Sequence, residues 1–305
     1  MPQHKVKLIV NPNADMGQAW RNAADLRPVV EEFGGADWSG TVYPTHAIEL
    51  ALQAAEEGYE LVIAAGGDGT AHEVINGLMQ VPAERRPRMG VVPLGSGNDF
   101  SHAVGMNMHP ALAMRQILTG KPKRIDIGKM TDEHGRTEYM DNTIGIGFDA
   151  TVTIRSHQLA NLRGFMMYFV AVLQTIIFNH DAPKMQIRTD AESWEEETLM
   201  LTLCNGPREG GGFMVAPEAR IDDGIYHYAA VRRISRPMML RLLPEVMKGT
   251  HGRFKTVRMG TFKKLELKSE KPLVIHVDGE VYAGFGMDIR QFSLELLPGA
   301  LEIMV

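Results

Sequence analysis

The chain has 305 residues, 44% of them hydrophobic, and a formal net charge of −5 at pH 7. That length suits about two domains with real cores, whereas the charge is too small, and like charges are too scattered, to indicate a nucleic-acid partner. The single cysteine, Cys204, excludes an internal disulfide and a cysteine-based zinc site, so a reducing cytoplasm is the expected compartment.

The first part of the chain alternates between strand and helix patterns. Strands are predicted at 7–11 and near 38–43, and helices around 19–33 and 47–57. Such alternation is typical of a parallel sheet with helices on its faces. We therefore predict an α/β fold that begins with a doubly wound, parallel-sheet domain over residues 1–124.

An apolar run at 61–65 ends in a glycine-rich turn, and a helical pattern is predicted to begin at Ala71. Gly66, Gly67 and Gly69 lack Cβ atoms, so backbone N–H groups here can approach an anion closely. Thr70 is predicted to cap the helix, whose amino end adds free N–H groups and the positive end of its dipole. The stretch therefore predicts a phosphate site.

A second loop of the same kind follows at 95–100, with the sequence GSGNDF after an apolar run at 89–94. In an open parallel sheet, loops at the carboxyl ends of neighbouring strands line one crevice, where nucleotides usually bind. Neither loop has the lysine of a P-loop or the spacing of a dinucleotide fingerprint. Two ordinary glycine turns are the alternative interpretation.

After residue 125 the pattern changes to short alternating stretches, which are typical of antiparallel strands. Strands are predicted at 184–188, 198–204, 225–231, 265–268 and 273–277. Helices are expected only within 159–178 and near 237–248. The apolar stretch 165–178 is shorter than the ~18–20 residues that cross a bilayer. We therefore expect no transmembrane segment, and favour burial of this stretch over lipid contact.

Several segments together resemble the catalytic domain shared by diacylglycerol and sphingosine kinases, and bacterial soluble lipid kinases in particular. The resemblance is carried by GGDGT with His72-Glu73-Val74, by PLGSGNDF at 93–100, and by further segments at 11–13, 126–128, 142–150, 210–225 and 277–280. GGDGT alone also occurs in NAD kinases and phosphofructokinases, but this ordered set spans nearly the whole chain. It implies a mainly antiparallel β-sandwich, lipid-acceptor domain over 125–289, with the tail, about 290–305, packed back on the first domain.

The resemblance also implies that the first domain binds ATP. The implied nucleotide contacts are Asn11, Pro12, Asn13, Thr45, Gly66, Gly67, Asp68, Gly69, Thr70, Ala71, His72, Ser96, Asn98 and Asp99. The first motif departs from the family's usual Asn-Pro-x-Ser-Gly, because Ala14 and Asp15 follow Asn13. His72 stands where many bacterial relatives have asparagine, and sphingosine kinases share the histidine.

Phosphoryl transfer from ATP needs a metal ion and a base, and three carboxylates are candidates for catalysis. Asp278 and Glu280 would point to the same side of an extended strand. The resemblance implies that Glu280 accepts the proton of the lipid hydroxyl, while Asp278 orients that hydroxyl or holds the catalytic magnesium through water. A polar hairpin turn is the alternative, since Asp-Gly is a strong hairpin signal. Asp68 is the rival base, although a magnesium-linked role suits its place beside phosphates.

The segment ARIDDGI at 219–225 resembles a structural magnesium site of bacterial members. The ligands would be the Asp223 carboxylate and the carbonyl groups of Arg220 and Ile225, an oxygen-only set that suits Mg²⁺. A plain Asp-Asp-Gly turn is the alternative. Isolated histidines such as His276 have no metal-ligand spacing, and we expect them to be core or surface residues.

The resemblance therefore implies an ATP- and Mg²⁺-dependent lipid kinase that transfers the γ-phosphate to a lipid hydroxyl, with diacylglycerol giving phosphatidic acid as the leading reaction. The lipid substrate would be met at a membrane surface, so a peripheral position at the membrane stays open. Alternatives are a sphingosine, ceramide-type or phosphatidylglycerol kinase, an NAD kinase, and a catalytically silent nucleotide-binding module. A homodimer, formed through an exposed strand edge, is also left open.

Overall fold

The computed structural model describes residues 5–17, 19–159, 162 and 164–305, apart from the side chain of Met16. The chain divides into two compact units, one reaching to Ile127 and including Pro298–Val305, and the other formed by Gly128–Leu297. The sequence placed the return of the chain near residue 290. In the structure this part of the chain is one strand, Gln291–Met304.

The first unit contains a parallel sheet with the strand order β2-β1-β3-β4. Its elements are β1 Val6–Val10, α1 Ala19–Ala24, α2 Arg27–Glu32, β2 Asp37–Gly40, α3 His46–Glu56, β3 Leu61–Gly66, α4 Asp68–Leu78, β4 Arg88–Pro93, α5 Asp99–Val104 and α6 Pro110–Thr119. The connection from β1 to β2 runs in one direction along the sheet, and those from β2 to β3 and from β3 to β4 run in the other. Since such crossovers are right-handed, helices lie on both faces of the sheet. The predicted doubly wound sheet is confirmed.

The single helix predicted over 19–33 is wrong, because the structure has two short helices there. Pro28 sits in the first turn of α2, where a missing N–H is tolerated, but it cannot continue a helix from α1. Apolar side chains of the strands and helices form the core of this unit, and Leu8, Ile9, Ile63, Ile75, Leu78 and Met89 are fully buried.

The second unit is built mainly from antiparallel strands. Its elements are the end of β5 (Pro122–Asp132), β6 Thr137–Met140, β7 Thr143–Gly147, α7 Phe148–His157, α8 Gly164–Phe178, β8 Lys184–Thr189, β9 Ser193–Cys204, β10 Tyr226–Arg232, α9 Arg236–Met247, β11 Val257–Phe262, β12 Lys264–Ser269, β13 Ile275–Val277, β14 Glu280–Ala283 and the first half of β15 (Gln291–Met304).

These strands form two layers joined by β9. The second half of β9 pairs with β7 and β10, in the order β11-β10-β9-β7-β13-β14. Its first half pairs with β8, which continues to β12 and β15. One core cluster, with Ile144, Leu201, Tyr228, Leu265 and Phe292, draws residues from both layers. The predicted β-sandwich is thereby confirmed.

The helices of this unit form a second core cluster with one layer of the sandwich. Val152 of α7, Val172 and Ile176 of α8, and Leu242 of α9 belong to it. Helix α8 confirms the helix predicted over the apolar stretch, although Ile177 and Phe178 at its end are exposed. Within the described part of the chain, no helix is both long and apolar enough to span a bilayer.

Helix α7 was not predicted. Its sequence FDATVTIRSH contains β-branched residues in series, which locally favour strands. The helix forms because it packs beside α8, with Val152 and Thr153 buried. Tertiary packing therefore overrides the local preference of these residues.

Candidate active site

The two glycine loops of the first unit lie against each other, backbone to backbone. Strands β3 and β4 end side by side, with Gly66 opposite Pro93, and the Leu94 N–H donates to the Gly66 carbonyl at 2.8 Å. A Cβ atom on Gly95 would lie 2.4 Å from the Cα of Gly67. Because neither backbone can give way locally, only glycine at position 95 permits this contact.

If the two loops bind ATP, as the resemblance implies, we expect Gly95→Ala to weaken that binding by about 10- to 100-fold, because the loops must separate to admit the methyl group. Gly40→Ala is a matched control, since a Cβ there would meet no atom within 4 Å. Titration calorimetry with ATP measures both variants. Unchanged affinity in Gly95→Ala would show that the contact between the loops has no part in nucleotide binding.

Helix α4 begins at Asp68, with Gly67 as its N-cap, so the predicted helix start at Ala71 and the predicted cap by Thr70 are wrong. Thr70 lies in the first turn and is buried, and its hydroxyl oxygen accepts a hydrogen bond from Asn11 Nδ2 at 3.2 Å. A Cβ atom on Gly66 would lie 2.2 Å from that oxygen. Thr70 therefore ties the loop after β1 to the loop after β3.

The side chains of Ala71 and His72 are buried within α4. The N–H groups of Thr70 and Ala71 both donate to the Gly67 carbonyl, at 3.0 and 3.2 Å. The first amides of a helix have no partner within it, and here these belong to Asp68 and Gly69. An anion at this helix end would therefore meet Asp68 and Gly69 before Ala71 or His72.

Asp68 places its carboxylate at the amino end of α5, where Oδ1 accepts the N–H of Phe100 at 3.0 Å. A Cβ atom on Gly97 would lie 3.0 Å from Asp68 Oδ2, so glycine keeps this approach open. Burial and the neighbouring Asp99 carboxylate raise the pKa of Asp68 to about 6, against the opposing effect of backbone N–H donors from Asn98 to Phe100. The pair concentrates negative charge that a cation would relieve.

Asn98 closes the loop after β4. It adopts a left-handed φ of 55° as the N-cap of α5. Its side chain accepts the N–H of Gly95 at 3.0 Å and donates to the Gly95 carbonyl at 2.7 Å. Ser96 is exposed at the apex of this loop, whereas Asp99 is buried. The hydrogen bonds between Asn98 and Gly95 thus hold the loop in one conformation, and Ser96 is exposed at its apex.

The loop after β1 starts with Asn11, whose N–H continues the ladder by donating to the Ala65 carbonyl at 3.0 Å. Its side-chain oxygen accepts the N–H of Asn13 at 3.0 Å, which closes a short turn containing Pro12. Asn13 is exposed, and a 3₁₀ turn follows from Ala14. The structure thus places Asn11, Pro12 and Asn13 at the same edge of the sheet as the two glycine loops.

Thr45 and Glu73 form a contact that the sequence did not suggest. Thr45 precedes α3 as its N-cap with φ 71°, and it is exposed. The Glu73 carboxylate on α4 accepts the N–H groups of Thr45, at 2.9 Å, and Ala47, at 3.0 Å. Glu73 therefore caps α3 from a neighbouring helix and fixes the position of Thr45.

Replacing Glu73 with Ala is expected to destabilise the protein by about 1–2 kcal/mol, because two N–H groups at the start of α3 lose their acceptor. Glu73→Gln keeps one acceptor oxygen, so about half of that loss is expected. Urea denaturation measures both variants. If Glu73→Ala were as stable as the unmodified protein, water would be replacing the carboxylate at no cost.

In the second unit, Asp278 and Gly279 form a two-residue hairpin turn between β13 and β14. Both have positive φ, 51° and 87°, and Val277 pairs with Glu280 across the turn. This matches the turn expected for an Asp-Gly pair. The prediction that Asp278 and Glu280 share one side of an extended strand is wrong, because the chain reverses between them.

The Asp278 carboxylate is buried and accepts backbone N–H groups from one short segment. Oδ1 accepts from Asn142 and Thr143, both at 2.8 Å, and Oδ2 accepts from Asp141 at 3.0 Å. The Asp278 N–H donates in return to the Thr143 carbonyl. Glu280, by contrast, is exposed at the start of β14. The Asp278 carboxylate thus holds the turn in place, and Glu280 is an exposed carboxylate directly after the turn.

The predicted magnesium loop, 219–225, is a turn before β10. Asp223 is exposed, and its Oδ1 accepts the N–H of Ile225 at 3.3 Å. Arg220 pairs with Asp222 through Nε and Oδ1 at 3.4 Å. Oxygen donors of the kind that Mg²⁺ prefers are therefore present on one loop. The backbone hydrogen bond is also what a plain Asp turn makes.

Asp149, Glu209 and His276 form a group that sequence reasoning did not bring together. One potential ligand atom from each lies within 4.8 Å of the others, and His276 is buried, as expected for a core histidine. The three lie on α7, on the loop after β9, and on β13. The segments at 142–150, 210–225 and 277–280 supplied a signal, because all three residues lie in or next to them.

Comparisons with known proteins agree with this architecture. Residues 5–130 match the family model of the diacylglycerol kinase catalytic domain, and residues 142–305 match that of the YegS C-terminal NAD kinase beta sandwich-like domain. A relative from Chromohalobacter salexigens, "Probable lipid kinase YegS-like", is 32% identical over 83% of this chain and 78% of its own length. A relative of the same name from Yersinia enterocolitica is 29% identical over 82% and 80%.

Two solved structures from Bacillus anthracis str. Sterne share the fold. A protein provisionally named a diacylglycerol kinase aligns with a TM-score of 0.81 and 24% identity, over 100% of this chain and 96% of its own. A diacylglycerol kinase aligns with a TM-score of 0.72 and 22% identity, over 99% and 96%. At these identities the likeness establishes the arrangement of helices and strands alone.

Proposed function

Because this chain belongs to the diacylglycerol kinase catalytic-domain family, with the C-terminal domain of YegS-like lipid kinases, we propose that it transfers the γ-phosphate of ATP to the hydroxyl group of a membrane lipid. Diacylglycerol is the leading acceptor. The observation that carries the proposal is the joined pair of glycine loops in the first unit. They bring the amino ends of α4 and α5 together around the Asp68 carboxylate.

The loops suit a nucleotide for a physical reason. Helix α4 begins at Asp68 directly after glycine, so the positive end of its dipole lies where phosphate groups can approach closely. Asn11 and Thr70 tie the first loop to this helix end, and Ser96 presents a hydroxyl. We propose that these segments bind the phosphates of ATP, with Thr45 at the edge of the site.

The donor atoms fit a magnesium ion. Asp68 has a raised pKa because it is half-buried beside Asp99, and a divalent cation would neutralise this charge. When bound, Mg²⁺ neutralises developing charge on the transferred phosphoryl group. The role of the chain is then to orient the phosphates through the loop amides. We assign a second, structural magnesium to Asp223 with the carbonyl groups of Arg220 and Ile225, supported by their oxygen-only chemistry.

For the base we propose Glu280, which would accept the proton of the lipid hydroxyl. Glu280 is exposed, and it directly follows a turn that the Asp278 carboxylate holds in place, so the position of its backbone is fixed. Asp278 has its oxygens engaged by N–H groups, which favours a positioning role for this residue. Asp68 remains the rival base.

The test is transfer of label from γ-labelled ATP, with Mg²⁺, to detergent-dispersed diacylglycerol, sphingosine, ceramide and phosphatidylglycerol, with NAD as a control acceptor. Glu280→Gln and Asp68→Asn are assayed in parallel. Label in one lipid that is lost in Glu280→Gln supports both the reaction and the base. Near-normal turnover in Glu280→Gln would exclude it as the base, and label in NAD alone would overturn the lipid assignment.

A further inference from the structure

His276 lies on β13, two residues before Asp278, and is almost completely buried. Its Nδ1 atom accepts the N–H of Gly279, the second residue of the turn, at 3.2 Å. A ring nitrogen that accepts a hydrogen bond carries no proton, so the proton of the neutral ring is on Nε2. The turn therefore depends on one particular tautomer of His276.

The surroundings of Nε2 explain why that tautomer is preferred. Nε2 lies 3.6 Å from Asp149 Oδ2 and 4.0 Å from Glu209 Oε2, so a proton there faces two carboxylates. The Thr202 hydroxyl donates to Asp149 Oδ2 at 2.6 Å and holds that carboxylate in place. Burial opposes ionisation of Asp149, but the contacts with His276 and Thr202 outweigh it and keep its pKa below its usual range.

The neighbouring backbone leaves room for this arrangement. A Cβ atom on Gly145 of β7 would lie 2.2 Å from His276 Nε2 and 2.4 Å from Asp149 Oδ2. Glycine at this position is therefore required for the two side chains to meet. The pairing of β13 with β14 is also irregular between Ile275 and His276, as at a β-bulge.

The turn itself needs support. Asp278 adopts a left-handed φ of 51°, which costs free energy for a residue other than glycine. The Asp278 carboxylate secures its first residue, and His276 secures its second. We infer that His276 is a positioning residue for Glu280, acting through the Gly279 N–H, and that Asp149 acts through His276 by holding its tautomer. This inference rests on the proposed function, in which Glu280 is the base.

Two substitutions of His276 separate its acceptor role from its bulk. His276→Leu removes the acceptor and is expected to lower kcat by about 100-fold, the scale of a misplaced catalytic group. His276→Asn can place an amide oxygen near the position of Nδ1, and is expected to retain kcat within about fivefold. KM for ATP should stay constant in both variants, because the proposed nucleotide residues belong to the first unit.

Asp149→Asn tests whether Asp149 fixes the tautomer of His276. Its amide group can donate to Nε2, which would shift the ring proton to Nδ1 and oppose the Gly279 N–H. We expect kcat to fall as in His276→Leu, and the double variant to be no slower than either single one, because both act on one contact. Gly145→Ala should produce the same loss by displacing the ring.

Two measurements do not depend on turnover, so they test the role of His276 even if no lipid is phosphorylated. Nitrogen-15 NMR should show His276 protonated at Nε2 only, and hydrogen exchange at the Gly279 amide should be slow in the unmodified protein and in His276→Asn. Exchange should become at least tenfold faster in His276→Leu and Asp149→Asn. His251→Leu, which removes another buried histidine of this unit, is the control and should leave the Gly279 amide unchanged.

The outcomes distinguish this inference from the proposed function. Normal kcat in His276→Leu, together with an inactive Glu280→Gln, would overturn the positioning role and leave the lipid kinase intact. No transfer to any lipid by the unmodified protein would overturn the proposed function. A proton on Nδ1, or unchanged Gly279 exchange in His276→Leu, would then overturn the inference independently.

Discussion

Asp68→Asn is expected to abolish phosphoryl transfer and, at the same time, to stabilise the metal-free protein at pH 8. Asparagine keeps an oxygen that can accept the Phe100 N–H, so the end of α5 stays capped. It removes the charge that the proposed magnesium would neutralise. We expect kcat/KM to fall by about 1,000-fold or more, since the metal and the groups that hold it supply most of the catalysis of this reaction.

The gain in stability follows from the direction of the pKa shift. The pKa of Asp68 is raised from 3.8 to about 6, so the folded protein holds this proton more tightly than the unfolded chain does. The stabilisation from protonation is complete below pH 3.8 and is lost as the pH rises through 6. Above that, the ionised carboxylate beside Asp99 destabilises the fold, whereas the neutral amide of the Asp68→Asn variant would not.

After a discount for partial exposure, the expected gain at pH 8 is about 1 kcal/mol, or roughly 2–4 °C in Tm. It should shrink to nothing as the pH falls to 4. Thermal unfolding at both pH values, without magnesium, measures it. Asp25→Asn, at an exposed position of the same unit, is the control and should change neither Tm nor activity. A Tm for Asp68→Asn below that of the unmodified protein at pH 8 would contradict the charge argument.

The parts of the site that the sequence predicts are those whose signals are local. The glycine loops follow apolar runs and precede helical patterns, so Gly66, Gly67 and Gly95 were expected where the structure has them. The cap of α5 by Asp68 was not expected, because the two are brought together only by the pairing of β3 with β4. The same holds for Glu73 and Thr45. Contacts between loops need the sheet register, which local patterns do not specify.

Two errors have a different cause, because a competing local pattern favoured the wrong structure. Asp278 and Gly279 are a known hairpin pair, but the two-residue spacing of Asp278 and Glu280 also suits an extended strand, and that interpretation is wrong. In α7, the β-branched residues Thr151, Val152 and Thr153 concealed a helix that forms by packing on α8. Where a local preference and burial disagree, burial decides, because it involves more free energy than the propensities do.

Asp278→Ala is expected to be among the most destabilising single substitutions in the second unit. The carboxylate accepts the N–H groups of Asp141, Asn142 and Thr143, all of which are buried residues. Without it, these donors lose their acceptor where water has little access, at about 1–3 kcal/mol each. Alanine at φ 51° adds about 1 kcal/mol of backbone strain. Some relaxation is expected, so we predict a total loss of about 4 kcal/mol.

Comparison of Asp278→Asn with Glu280→Gln separates effects on stability from effects on phosphoryl transfer. Asparagine tolerates a left-handed φ and keeps one acceptor oxygen, so a loss of about 1–2 kcal/mol is expected. Glu280→Gln replaces an exposed carboxylate with an amide of the same shape, so we expect a change in stability below about 0.5 kcal/mol together with loss of transfer. Denaturant unfolding, with hydrogen exchange at the amides of 141–143, measures all three. If Asp278→Ala unfolded at the same denaturant concentration as the unmodified protein, the turn would be held by the strand pairing of β13 and not by this carboxylate.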